Sequence, residues 1–132
     1  MKTWMTTIGQ SPFAAVNTLW AALREEQVMP IGKLQLFYSE EMKPNLLIFT
    51  GWAEILFTEY QKTQPRLQAI EYPANDIKAF RKQLKQTISK SNTKILMDIN
   101  SGRKAMSALM LLIGELFSST TISPKIMFAF FH

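Results

Sequence analysis

Two short stretches bring glycine, hydroxyl and basic side chains together where a strand would give way to a helix. Gly9-Gln10-Ser11 precedes Pro12 and an apolar run, and Asn100-Ser101-Gly102 precedes Arg103-Lys104 and a second apolar run. Glycine lets the backbone approach a ligand closely. The unpaired N–H groups and the dipole at a helix start favour an anion there. Arg103 and Lys104 add positive charge where the dipole is already positive, a placement that disfavours the helix and favours a bound anion. The pair reads either as a solvated helix start or as part of an anion site. Ser11 reads either as an N-cap or as a ligand contact. Neither stretch is a dinucleotide fingerprint, because the first lacks spaced glycines, and neither is a P-loop.

Composition removes several chemistries. The chain has no cysteine, which excludes disulfides, thiolate metal sites and thiol nucleophiles. Its single histidine is His132, so no histidine-based catalysis, metal cluster or cofactor is expected. Fifteen Lys and Arg against ten Asp and Glu give a formal charge of +5, which favours an anionic partner. The longest apolar stretch, Ala105 to Phe117, is interrupted by Ser107, Gly114 and Glu115 and is too short to span a bilayer. The start of the chain lacks the apolar run of a signal peptide. No membrane association is expected, and a cytoplasmic protein is the default expectation.

The elements that must position the two loops follow from periodicity. Residues 1–132 read as one domain with the order βαβαβαβαβ. Strands are expected at Thr3–Ile8, Lys33–Tyr38, Arg66–Tyr72, Thr93–Ile99 and Ile126–Phe131. A first helix after Pro12 places Val16, Leu19, Trp20 and Leu23 on one face. A second covers Trp52–Gln61 with Ile55, Leu56 and Tyr60 inward, and Leu46–Phe49 before it reads as helical or extended. A third follows a cap at Asn75 or Asp76, with Ile77, Phe80, Leu84 and Ile88 as its apolar stripe. Its basic residues, Lys78, Arg81, Lys82, Lys85 and Lys90, read as a solvated face. No aromatic residue interleaves with them, so no long nucleic acid is expected as a partner. A fourth, nearly all-apolar helix covers Arg103–Phe117.

Alternating strands and helices predict an α/β fold: a Rossmann-like parallel sheet of about five strands, order 3-2-1-4-5, with helices on both faces. In that order the first and fourth strands are neighbours whose crossovers leave toward opposite faces. Ligands bind outside the carboxyl ends at such a switch point. The loops at Gly9 and Gly102 should therefore face each other. Glu40 and Glu41, after the second strand, lie at the same edge and read as loop charges.

The stretch Thr6-Thr7-Ile8-Gly9-Gln10-Ser11-Pro12-Phe13-Ala14, continuing to Trp20-Ala21-Ala22-Leu23, resembles the opening of CRISPR-associated Rossmann fold (CARF) proteins. Met97-Asp98-Ile99-Asn100-Ser101-Gly102-Arg103-Lys104-Ala105-Met106-Ser107 resembles their second motif, departing from it at Asn100-Ser101, where threonine and glycine are usual. The resemblance in element order extends over the whole chain. It implies a homodimer that binds cyclic oligoadenylate across its two-fold axis. It also implies kinship with the stand-alone ring nucleases, which cleave that messenger without metal and end type III CRISPR signalling. Carried onto this sequence, it implies catalytic roles for Ser11 and Lys104. Gly9, Gln10, Asn100, Ser101, Gly102 and Arg103 would then bind the substrate. The alternative is a non-catalytic sensor domain cut from a larger effector or regulator, or a sponge that only sequesters the messenger.

Overall fold

A computed structural model describes residues 1–99, 101 and 110–113, and the backbone of residues 126–129. Its elements are β1 (Lys2–Thr7), α1 (Pro12–Leu23), β2 (Ile31–Tyr38), α2 (Lys43–Tyr60), β3 (Arg66–Glu71), α3 (Ile77–Lys90), β4 (Lys94–Asp98) and β5 (Ile126–Ala129). Residues 110–113, between β4 and β5, are helical. The strands lie in the order β3-β2-β1-β4-β5 and every neighbouring pair is parallel. Parallel pairing requires crossover connections, which α1, α2 and α3 supply between the first four strands.

Successive residues of a strand point to opposite faces, and this chain buries both. Trp4, Leu34, Leu36 and Leu96 pack on one side against Leu19 and Leu23 of α1 and Phe49 and Phe57 of α2. Met5, Phe37, Ile95 and Met97 pack on the other against Phe80, Leu84 and Ile88 of α3, together with Met110 and Ile113. Adjacent pairs such as Trp4/Met5 and Leu96/Met97 thus serve two cores. That is why these strands read as continuous apolar runs.

The helices differ from the expectation in three places. Helix α2 begins at Lys43, with Pro44 in its first turn, so Leu46–Phe49 is helical. Packing on the sheet selects Leu46, Phe49, Ala53 and Phe57 as the buried stripe. Ile55, expected inward, is 58% exposed. Trp20 is also half exposed, because its indole Nε1 reaches outward to donate to the Tyr60 hydroxyl at 2.9 Å. Ile77 sits exposed in the first turn of α3, whose stripe starts at Phe80. Asp76 does cap that helix, accepting from the Ala79 N–H at 3.0 Å. Of the expected helix at Arg103–Phe117 only 110–113 is described, and there Leu112 faces solvent.

Candidate functional site

The site is built on the β1–β4 seam. Lys2 pairs with Lys94 and Met5 with Met97, so the two strands end level with each other. One residue further, Thr6 lies beside Asp98, and its hydroxyl donates to Asp98 Oδ2 at 2.7 Å. Ser101, in the turn after β4, donates its hydroxyl to the same oxygen, also at 2.7 Å. Thr6 and Asp98 are fully buried and Ser101 nearly so. A buried carboxylate must have its lone pairs satisfied. Here the donors come from β1 on one side and from the second loop on the other. Asp98 therefore joins the base of both loops through one oxygen atom. Thr7, pointing to the opposite face, donates to Met110 Sδ at 3.0 Å and ties the end of β1 to the helix after the second loop.

The first loop is held from a third direction. The β1 ladder extends one residue past the strand, since the Ile8 N–H donates to the Phe37 carbonyl at 2.8 Å. Gly9 is buried, while Gln10 and Ser11 are exposed. Asn45, in the first turn of α2, donates from Nδ2 to the carbonyl oxygens of Gly9 at 2.9 Å and Gln10 at 3.0 Å. That clamp turns both carbonyls toward α2.

Ser11 occupies the N-cap position of α1 in an extended conformation, φ −104° and ψ 106°, with Pro12 following. Its side chain makes no capping hydrogen bond. Of the two readings open from sequence, the cap is therefore a matter of position alone, and the exposed hydroxyl is not engaged in satisfying the helix. The N–H of Ala14, three residues on, donates instead to the Ser11 carbonyl at 3.2 Å.

The structure brings Gly9, Gln10, Ser11 and Ser101 to one end of the β1–β4 seam. Ser101 is 1% exposed and its hydroxyl is directed at Asp98, so here it ties a residue after β4 to the strand end. Asn100, Gly102, Arg103 and Lys104 lie outside the described residues. Glu40 and Glu41 stand apart from the seam. They line a cavity of about 510 Å³ with Glu71, Tyr72 and Gln83, beyond the ends of β2 and β3. Among the described residues no three His, Cys, Asp or Glu side chains are grouped as metal ligands would be. No helix among them is long and apolar enough to cross a membrane.

Thr6, Asp98 and Asn45 were missed as site-forming residues from sequence. Asp98 carried a signal, an acidic residue closing the apolar run Ile95-Leu96-Met97. Asn45 carried none, because its role depends on where α2 starts. No protein-family model matches this sequence, and no curated protein matches it. The site must be read from its own geometry.

Proposed function

We propose that this chain binds a cyclic oligoadenylate, with cyclic tetra-adenylate the first choice, at the carboxyl ends of β1 and β4 as a homodimer, and cleaves it as a ring nuclease. The observation that supports this reading best is the adjacency of β1 and β4, which carries the Gly9–Ser11 loop and Ser101 to the same end of one seam. The exposed, uncapping Ser11 hydroxyl is a second support. The net charge of +5 suits a ring of phosphates, and a two-fold symmetric ring suits a two-fold dimer.

In the proposed reaction a ribose 2′-hydroxyl attacks the adjacent phosphorus. The P–O5′ bond breaks, the 2′ proton is lost, and O5′ leaves and is protonated. The products are linear oligoadenylates with a 2′,3′-cyclic phosphate and a 5′-hydroxyl. The substrate supplies its own nucleophile, so neither metal nor histidine is needed. Ser11 orients the ribose or phosphate, and Lys104 stabilises the charge that grows on the phosphoryl oxygens. Gln10, Asn100 and Arg103, with the backbone at Gly9 and Gly102, hold phosphate and adenine. Orientation of attacking and leaving oxygens in line lowers the barrier by about 7–11 kcal/mol in favourable cases.

The test is incubation of the protein with cyclic tetra-adenylate in EDTA, beside a Lys104→Ala variant, with products resolved by chromatography. Cleavage that the variant loses by about 10²–10³-fold is the expected result. A ring that co-elutes intact with the protein would replace the nuclease with a sensor or sponge. A ring that neither binds nor breaks, followed by the same outcome with cyclic hexa-adenylate, would overturn the reading.

A further inference from the structure

The opposite edge of the sheet carries a second polar site. Gln35, in the middle of β2, is 2% exposed and points to the face that α3 covers. Its Nε2 donates to Gln68 Oε1 of β3 at 3.1 Å, while its Oε1 is buried with no hydrogen-bond partner. Gln83 of α3 repeats the arrangement. Its Nε2 donates to the Glu71 carbonyl at 2.8 Å and its Oε1 is buried and unpartnered. Leaving a buried acceptor unsatisfied costs about 1–3 kcal/mol. Two such acceptors on one cavity need a physical cause.

Both line one cavity of about 240 Å³, together with Gln68, Gln86, Lys33 and Lys90. A second cavity of about 230 Å³ shares Lys33, Lys90 and Ser91 with the first and adds Lys2 and Arg66. No acidic residue is among the linings of either. The site therefore has an inner end of side-chain amides with two orphaned acceptors, and an outer end with the cations Lys33, Lys90 and Arg66, while the Lys2 ammonium is held by the Gln27 and Met29 carbonyls. It lies where β2 and β3 begin and α3 ends, away from the Gly9–Ser11 loop.

We infer that this cleft binds a nucleoside monophosphate whose base carries an amino group, such as adenosine monophosphate. The orphaned oxygens call for hydrogen-bond donors, and an exocyclic amine presents two. A side-chain amide matches the adjoining ring nitrogen and amine of adenine in two hydrogen bonds. The cations require an anion at the other end of the same ligand, and a phosphate supplies it. Inorganic phosphate would leave the glutamine oxygens unanswered, and a neutral nucleoside would leave the lysines unanswered. The two cavities, neighbours through their shared lining, together fall in the lower part of the volume range of small-ligand pockets, about 300–1,000 Å³. The inference does not rest on the ring-nuclease reading.

The experiment titrates adenosine monophosphate, adenosine and inorganic phosphate separately into the full isotope-labelled chain, at fixed ionic strength, and follows amide chemical shifts. Adenosine monophosphate is expected to bind more tightly than either part, with shifts around Gln35, Gln68 and Lys90. Gln35→Leu is expected to weaken it by about tenfold or more. That variant should keep the wild-type Tm or exceed it, because it removes an orphaned acceptor. Lys90→Ala is expected to weaken the monophosphate and leave adenosine unchanged. Phosphate binding as tightly as the nucleotide, with no effect of Gln35→Leu, would overturn the inference by reducing the cleft to a basic edge. Binding lost in Lys104→Ala and kept in Gln35→Leu would overturn it by moving the ligand to the strand-end loops. No binding of any of the three would also overturn it.

Discussion

Removing one hydroxyl from the buried carboxylate at the base of the two loops gives the sharpest test of how the site is built. Thr6→Val keeps the side-chain shape and deletes the 2.7 Å donor to Asp98 Oδ2. Hydrogen bonds to charged groups contribute about 1.5–3 kcal/mol. The added methyl recovers part of this through apolar burial, of order 0.8 kcal/mol per carbon. The net loss should be about 1–2 kcal/mol, a fall in Tm of roughly 3–8 °C for a chain of this size. Urea unfolding should show a lower midpoint at unchanged slope. Ser101→Ala should cost a similar amount, since its hydroxyl meets the same oxygen at the same distance. The double variant should lose about the sum of the two or more, since both hydroxyl donors to Oδ2 are then gone. In an Asp98→Asn background the Thr6→Val cost should drop to about 1 kcal/mol or less, the value for a neutral pair. A Thr6→Val cost that is identical in both backgrounds, within the roughly 0.3–0.5 kcal/mol expected of independent sites, would refute the shared-carboxylate account.

Two further perturbations probe the scaffold. Asn45→Ala removes both donors to the Gly9 and Gln10 carbonyls; it should cost about 1 kcal/mol in urea unfolding and weaken cyclic oligoadenylate binding by several-fold, as read by calorimetry, through a loop that is no longer held. Lys62, just past the end of α2, adopts φ 68°, a left-handed conformation that disfavours side chains; Lys62→Gly should raise stability by about 0.5 kcal/mol in thermal melts, the relief of strain exceeding the added freedom of the unfolded chain.

The fold class was legible in the sequence because the strands and helices alternate and each has a period of its own. Leu34-Gln35-Leu36-Phe37 and Ile95-Leu96-Met97 are too apolar for a one-sided sheet, and the two cores they serve explain why. Helix α3 was legible in outline: its cap lay at one of two expected residues, Asn75 or Asp76, and three of its four expected stripe residues, Phe80, Leu84 and Ile88, are buried. Helix α2 was not. The ambiguity came from Leu46-Leu47-Ile48-Phe49, where consecutive apolar residues fit either period, and only packing on the sheet selects Leu46 and Phe49 as the buried pair.

The candidate site divides along the same line. Glycine and hydroxyl positions at the strand ends could be read from local sequence, because a tight turn before a helix demands them. What fixes those loops could not, because it is made by pairs distant in the chain. Thr6 and Asp98 are 92 residues apart, and Asn45 reaches back 36 residues to Gly9. Such contacts exist only once strand order and register are set. Ser101 shows the consequence most clearly: the resemblance implies a substrate contact there, while its hydroxyl donates to Asp98, a partnership that local sequence does not display. Asp98 in turn explains what a serine does there: its hydroxyl gives the buried carboxyl oxygen a second donor beside Thr6.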